Sequence, residues 1–313
     1  MLALHDTEIK MLSVILPAKN EGSGLRKVLP AIRAHHPDAE LIVVDDGSTD
    51  DTAQVARSYG AHVVAHPRSL GNGAAIKSGA RAALGDVIVF MDADGQHKPE
   101  DISRLLAELN RGYDMVVGAR SIASQAGAHR AIANTFYNWF ASWMVGQPVS
   151  DLTSGFRAVK TALFRKYLYL LPNGFSYPTT ITMSFFRAGY VVGYIPIEAP
   201  SRIGTSHIRL FRDGARFFLI IFKIGTLFAP LKLFLPISFA FFATACSYYL
   251  FTYISFGRFT NMSALLFITS ILIFLMGLIS EQISALNYKE SSDNQLVHVE
   301  NEMQPRTVEK IDT

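Results

Sequence analysis

Cysteine is nearly absent from these 313 residues. Cys246 stands alone, so no intrachain disulfide can form and a disulfide-stapled scaffold is excluded. An excess of one charge is missing too. The formal net charge is +3, with no dense Lys/Arg tract, so the chain has no electrostatic footprint for nucleic acid. Met1 to Lys10 contain no apolar run of the kind a secretory signal needs, and the N-terminal part is expected to start on the cytoplasmic side. Tryptophan occurs only at Trp139 and Trp143. Charge all but vanishes from Leu233 to Ser280, where Arg258 is the one charged residue. The hydrophobic share of 50% is therefore unevenly spread.

The first two thirds alternate between short apolar runs and helical stretches. Leu12–Leu16, Glu40–Val44, His62–Ala65, Asp86–Phe90 and Asp114–Gly118 read as strands. Helices are expected at Gly22–Ala34, after the capping candidates Ser48, Thr49 and Asp50, at Ala74–Leu84, after Pro99, and at Ala131–Val145. Such alternation predicts an α/β domain whose sheet is largely parallel and covered on both faces. Ligands of such sheets lie beyond the carboxyl ends of the strands. Three polar, acid-bearing turns fall there: Pro17–Glu21, Asp45–Asp46 and Asp92–Gln96.

The last of these turns carries the sharpest chemistry. Asp92 and Asp94, spaced i, i+2 after a buried strand, lie on the same side of an extended backbone. With an amide nearby they form a hard oxygen site suited to Mg²⁺ or Mn²⁺ carrying a diphosphate. Asp and Gly are also ordinary turn residues, and an isolated Asp-x-Asp is read as a turn; convergence of three acidic turns is the argument for a site. Gly71-Asn72-Gly73 lacks the third glycine of a dinucleotide fingerprint and reads as a helix-start loop. Lys77 on that helix stands either near a bound base or in solvent. Tyr137, Trp139, Phe140 and Trp143 recur at helical spacing, which predicts core packing, with a membrane-facing side as the alternative.

Pro17-Ala18-Lys19-Asn20-Glu21, Val44-Asp45-Asp46-Gly47-Ser48, Asp92-Ala93-Asp94-Gly95-Gln96 and Ser154-Gly155-Phe156-Arg157 resemble the signature set of family 2 glycosyltransferases with the GT-A fold. The order is most similar to the branch of dolichol-phosphate mannosyltransferase and bacterial polyprenyl-phosphate glycosyltransferases, over roughly Leu12 to Arg216. The resemblance implies that Pro17, Ala18, Glu21 and Asp46 hold the base and ribose of a UDP- or GDP-sugar. It implies that Asp92, Ala93, Asp94 and Gln96 meet the diphosphate, with Asp94, Asp92 and Gln96 around the metal. Asp151 and Arg157 are the catalytic candidates: Asp151 is either a general base or a group that orients Arg157 or the acceptor. Arg120, Arg130, Arg202 and His207 are the candidates for phosphate contact. In many relatives an acidic residue follows the Gly-Phe of the next segment; Gly174-Phe175-Ser176-Tyr177-Pro178-Thr179-Thr180 has none. Ser201–His207 resembles the family's mobile basic loop, where a lysine often stands in place of His207.

Beyond Ile208, Arg209, Arg212, Arg216 and Lys223 recur on one helical face, with Phe211, Phe217, Phe218 and Phe222 on the other. This predicts a basic amphipathic helix in the headgroup layer, over about 206–230. Leu233–Phe256 and Thr260–Ser280 are each long enough to span a bilayer, and the basic residues before them place that side in the cytoplasm. The expected organisation is a catalytic domain over 1–205, this helix, a hairpin over 231–281, and a disordered polar tail over 282–313. The activity implied is inverting transfer of a sugar to an undecaprenyl or dolichyl phosphate at the cytoplasmic face of a membrane, with membrane lipid as a partner; a homo-oligomer is compatible with it. One alternative is a processive polysaccharide synthase, but neither tryptophan is preceded by the Arg of a Gln-x-x-Arg-Trp motif. The other is an inactive nucleotide-sugar-binding scaffold.

Overall fold

A computed structural model of the chain describes residues 11–120, 128–174, 176–198, 222–223 and 225–303. It divides into two compact units, Met1–Ile220 and Ile221–Thr313.

In the first unit the expected alternation appears as β1 (Leu12–Ala18), α1 (Gly22–His35), β2 (Glu40–Asp45), α2 (Thr52–Ser58), β3 (His62–Ala65), α3 (Asn72–Ala82), β4 (Val87–Phe90), α4 (Asp101–Asn110), β5 (Met115–Arg120) and α5 (Ala128–Val145). Four further elements follow: β6 (Arg157–Lys160), α6 (Thr161–Lys166), α7 (Tyr177–Arg187) and β7 (Val192–Ile197). The seven strands form one sheet in the order β3-β2-β1-β4-β6-β5-β7. β1 pairs in parallel with β2 and β4, β2 with β3, and β5 with β7. β6 runs antiparallel between β4 and β5. Four of the six pairings are parallel, as the five-strand reading expected, and the unforeseen β6 makes the sheet mixed. A four-residue strand with basic residues at both ends gives no apolar run to find.

Strand direction builds the rim. β1, β2 and β4 exit at one edge, with Ala18 opposite Asp45 and Ile15 opposite Phe90. β6 runs the other way, so its entrance, with Arg157 opposite Phe90, lies at the same edge. Val14, Leu16, Val43, Val89 and Ala158 fill the core with Leu25, Leu29 and Ile32 of α1. Burial of one such aliphatic side chain contributes about 1.5–3 kcal/mol. Helix α1 comes so near the turn after β4 that a Cβ on Gly24 would lie 2.1 Å from the Ala93 carbonyl oxygen. The Asp92–Asp94 turn therefore rests on a glycine.

The second unit is a helical hairpin, α8 (Pro230–Phe256) and α9 (Asn261–Met303). Ser238 Oγ donates to Ser270 O at 2.9 Å and Ser270 Oγ to Ser238 O at 3.0 Å, a reciprocal buried clasp. Glu281 accepts from Leu231 N, and Ser284 Oγ donates to Leu227 O. The outward side chains, Phe239, Phe251, Ile254, Ile271 and Ile279 among them, are exposed apolar groups. Pro230–Phe256 and Asn261–Leu286 are long and apolar enough to cross a membrane. α9 continues to Met303, through the first part of the stretch expected as a disordered tail, and residues 304–313 lie outside the described residues. Glu, Gln, Ala, Leu and Lys are strong helix formers, and no Gly or Pro intervenes before Pro305. Of the basic helix expected over about 206–230, residues 206–221 and 224 lie outside the described residues, and 222–223 and 225–228 are helical.

Gly24→Ala is expected to destabilise the first unit by about 1–3 kcal/mol in denaturant unfolding, because backbone must move to admit the methyl group. Gly174→Ala, where a Cβ meets nothing within 4 Å, is the control and should leave the midpoint nearly unchanged.

Candidate active site

A cleft of about 530 Å³ opens at the rim. Pro17, Ala18, Glu21, Asp46, Asp92, Ala93, Asp94 and Gln96 all line it, so the residues assigned from sequence to the nucleotide sugar converge in space. Lys19, Ser69, Gly71, Asn72, Ala75, Thr153, Gly155, Tyr177 and Pro178 complete the wall. Sequence reasoning misses Ser69, Ala75, Thr153, Tyr177 and Pro178 as ligand neighbours. The Gly-x-Gly loop and the acid-free Ser176–Thr180 segment are the signals that could have found them.

The turns after β1 and β2 are stitched together. Asn20, the one non-glycine described residue with positive φ (57°), tolerates that backbone as asparagine often does. Its amide N–H donates to Ser48 Oγ, and its side-chain oxygen accepts from Thr49 N at 2.8 Å. Glu21 N donates to Thr52 Oγ1 and Gly22 N to Asp50. Asp46 is saturated. Oδ1 accepts from His66 Nδ1 at 2.7 Å and Leu70 N at 2.8 Å; Oδ2 accepts from Ser69 Oγ at 2.7 Å and Gly71 N at 2.9 Å. Burial alone would raise this carboxyl, but the hydrogen bonds from His66, Leu70, Ser69 and Gly71 outweigh it and hold it at about 2, from an ordinary 3.8.

Lys77 is half-buried. Its ammonium donates to Leu171 O at 3.1 Å and Asn173 Oδ1 at 2.5 Å, tying α3 to the loop before α7. Gly71, with φ of 103°, would place a Cβ 2.4 Å from Asn173 O, so glycine is needed there twice over.

Asp92, Asp94 and Gln96 stand together at the cleft, and Asp94 Oδ1 accepts from Gln96 N at 3.0 Å. Among the described residues no group of three His, Cys, Asp or Glu side chains forms a closed metal cage. Two carboxylates with an amide oxygen and an open side fit Mg²⁺ or Mn²⁺, which take their remaining ligands from water and substrate phosphates. His97 packs beneath them, its ring stacked on Phe156 at 4.8 Å. Burial pushes its pKa down, against the pull of Asp92 and Asp94.

The two catalytic candidates lie behind the wall, not on it. Asp151 is 2% exposed and holds Arg120 through Nε at 2.8 Å and Nη2 at 3.1 Å. It also accepts from Thr153 N and Ser154 N. Burial works to raise its pKa, yet the Arg120 hydrogen bond and charge keep it depressed. A carboxylate so paired is a weak base. Asp151 orients Arg120 rather than Arg157, and Arg120 also donates to Thr153 Oγ1 at 2.6 Å. Arg157 has no exposure at all. Its guanidinium donates to Pro178 O at 3.2 Å, Thr182 Oγ1 at 3.1 Å and Ser154 O, and lies 6.0 Å from the Tyr177 ring centroid. The buried cation thus fastens the Ser154–Gly155 turn to the start of α7. Arg130 lies in the first turn of α5; its side chain, and all of Arg202 and His207, lie outside the described residues.

Helix α5 meets the core-packing expectation for its aromatics only in part, with Phe140 half-buried. Tyr137 is buried, but Trp139 is 60% exposed, Phe136 49% and Trp143 42%. Phe136, Trp139, Phe140 and Trp143 form a run of ring contacts at 5.8–6.4 Å.

Residues 13–170 match the sequence profile of glycosyl transferase family 2. The chain belongs to this glycosyltransferase family. Residues 229–286 match a second profile, the GtrB C-terminal hairpin. Among curated relatives of this glycosyltransferase, the polyprenol monophosphomannose synthase of Mycolicibacterium smegmatis is 31% identical over 232 residues, covering 68% of this chain and 84% of that protein. The undecaprenyl-phosphate mannosyltransferase of Micrococcus luteus is 31% identical over 202 residues, 60% of this chain and 83% of that one. Among solved structures, glucosyl-3-phosphoglycerate synthase from Mycobacterium tuberculosis, in complex with Mn²⁺ and uridine-diphosphate-glucose, aligns with a TM-score of 0.55 at 25% identity. That alignment covers 69% of this chain and 78% of the other. The glycosyltransferase shares its GT-A architecture.

Two outcomes follow from this geometry. Arg157→Lys keeps the charge but loses the planar fork, and is expected to cost about 2–4 kcal/mol in denaturant unfolding. The Asp46 carboxyl is depressed on folding, so its stabilisation is present above pH 3.8 and lost as pH falls through about 2. The difference in melting temperature between wild type and Asp46→Asn should shrink over that interval.

Proposed function

We propose that this glycosyltransferase moves a sugar from a UDP- or GDP-sugar to a polyprenyl phosphate at the cytoplasmic face of a membrane, with inversion at the anomeric carbon. The observation that carries the reading is one rim holding a diphosphate-sized cleft with Asp92, Asp94 and Gln96, in a chain that ends in a membrane-type hairpin. The names of the mycobacterial and Micrococcus relatives support the acceptor, and the Mn²⁺ and uridine-diphosphate-glucose of the structural neighbour support the donor class.

Pro17, Ala18, Glu21 and the Asp46 loop flank the nucleoside. Asp92, Asp94 and Gln96 would hold Mg²⁺ or Mn²⁺. When bound, the cation supplies electrostatic stabilisation of the charge that grows on the leaving diphosphate. An acceptor phosphate oxygen forms a bond to the anomeric carbon as the carbon–oxygen bond to the nucleoside diphosphate breaks, and the electron pair leaves with the diphosphate. A phosphate monoester has a second pKa near ~6 and is mostly dianionic at neutral pH, so no protein base is required. That agrees with Asp151 being consumed by Arg120. Arg120, held beside Thr153 at the edge of the cleft, is the cation we assign to the acceptor phosphate.

The exposed Phe136 and Trp139 of α5 are assigned to the bilayer interface, where amphipathic aromatic rings accumulate.

The direct test is a panel of UDP- and GDP-sugars offered to full-length protein with undecaprenyl or dolichyl phosphate; lipid-linked sugar is expected with at least one donor, and none with any donor refutes the acceptor. Asp94→Asn, or wild type in excess EDTA, should lose at least about 100-fold in transfer while retaining the wild-type circular dichroism; full activity in either removes the metal role. Both tryptophans lie on α5, so selectively excited tryptophan fluorescence of the protein in vesicles reports this helix alone. Brominated lipids should quench it strongly and aqueous iodide weakly; the reverse pattern places the helix in water.

A further inference from the structure

His66 lies outside every motif used so far, yet it stands behind the cleft in a chain of three side chains. Its Nδ1 meets Asp46 Oδ1 at 2.7 Å, and its Nε2 meets Ser78 Oγ at 2.9 Å. The imidazole and the carboxylate are both buried, at 8% and 7% side-chain exposure. A carboxylate only accepts hydrogen bonds, so Nδ1 carries the proton whatever the charge of the ring. The ring orientation is then fixed from its far side by Ser78 on α3.

The count of donors gives this chain its meaning. A carboxylate offers about four lone-pair positions, and those of Asp46 are filled by His66, Ser69, Leu70 and Gly71. Two donors are backbone N–H groups of the segment that carries Ser69 and Gly71 into the cleft wall. The third, Ser69 Oγ–H, belongs to the same segment. His66 is the only donor that comes from outside this segment and is itself braced. Remove it, and Asp46 keeps only partners that move with the loop.

We infer that His66 is a positioning residue for the nucleotide end of the cleft: through its Nδ1–H it fixes Asp46, and through Asp46 the Ser69–Gly71 wall. The inference rests on the reading of this cleft as a nucleotide-sugar site. His66 touches no ligand. It sets the shape that a nucleoside meets, so its loss weakens nucleotide binding without removing any contact to the nucleotide. Ser78 has the same role at one remove, because it braces the ring that braces Asp46.

The distinction from a merely structural histidine lies in which nitrogen matters. The asparagine amide nitrogen falls near the place of Nδ1, and that of glutamine near Nε2. Calorimetric titration of the full-length protein with UDP or GDP in the presence of Mn²⁺ compares wild type, His66→Phe, His66→Gln, His66→Asn and Ser78→Ala. Loss of one buried hydrogen bond to a charged group predicts about tenfold weaker nucleotide binding for the Phe and Gln variants. His66→Asn should recover most of that loss, and Ser78→Ala should weaken binding by about threefold. Melting temperatures of the Asn and Gln variants are measured alongside and are expected to be similar, which keeps the comparison valid if the Phe variant does not fold. Wild-type affinity in all variants overturns the inference. Equal losses in Asn and Gln variants overturn it too, since the site of the N–H would then be irrelevant. Binding of neither UDP nor GDP by wild type refutes the nucleotide reading itself, and the inference with it.

Discussion

The cleft depends first on strand direction. Parallel strands β1, β2 and β4 deliver Pro17–Glu21, Asp45–Asp46 and Asp92–Gln96 to one edge. Reversed β6 brings Ser154–Gly155 to the same edge from the opposite side. Without that reversal the fourth motif would lie across the sheet from the other three. The reversal places Arg157 at a position opposite Phe90, inside the sheet, where a cation is costly to desolvate. Three hydrogen-bond acceptors, Ser154 O, Pro178 O and Thr182 Oγ1, offset that cost. The buried arginine thereby becomes the fastener between two loops of the cleft.

Buried carboxylates in this site serve geometry as much as chemistry. Asp151 aims Arg120, and Asp46 gathers a loop. Asp92 and Asp94 keep an open side toward the cleft, as suits oxygen ligands that share a cation with a phosphate. Backbone N–H groups and an arginine satisfy Asp151, and four donors satisfy Asp46.

Much of this was legible in the sequence. Period and turn chemistry placed the first five strands and the starts of the first five helices to within a few residues, because apolar runs alternate there with Gly, Asp and Asn. The convergence of eight cleft residues followed from parallel strands sharing a rim. What escaped was non-local. β6 is short and flanked by charge, so nothing in its period marks it as the strand between β4 and β5. Arg157 was a catalytic candidate through the resemblance of its motif, and only the fold shows it fully buried. The role of His66 required knowing that β3 lies beside β2, which a single sequence does not state. The α5 aromatics kept a helical period, but period alone cannot say whether a stripe faces core or lipid. The exposed tryptophans and the apolar hairpin belong to a protein suited to a membrane surface.

The central claim is that the Asp92–Gln96 turn is completed by a nucleoside diphosphate, sharing a divalent cation. Electron paramagnetic resonance of Mn²⁺ with the full-length protein, with and without UDP or GDP, tests this most directly. The account predicts weak Mn²⁺ binding alone, tight binding with nucleotide, and a ³¹P hyperfine coupling in the ternary complex. Mn²⁺ affinity that is indifferent to both nucleotides, without ³¹P coupling, would contradict it.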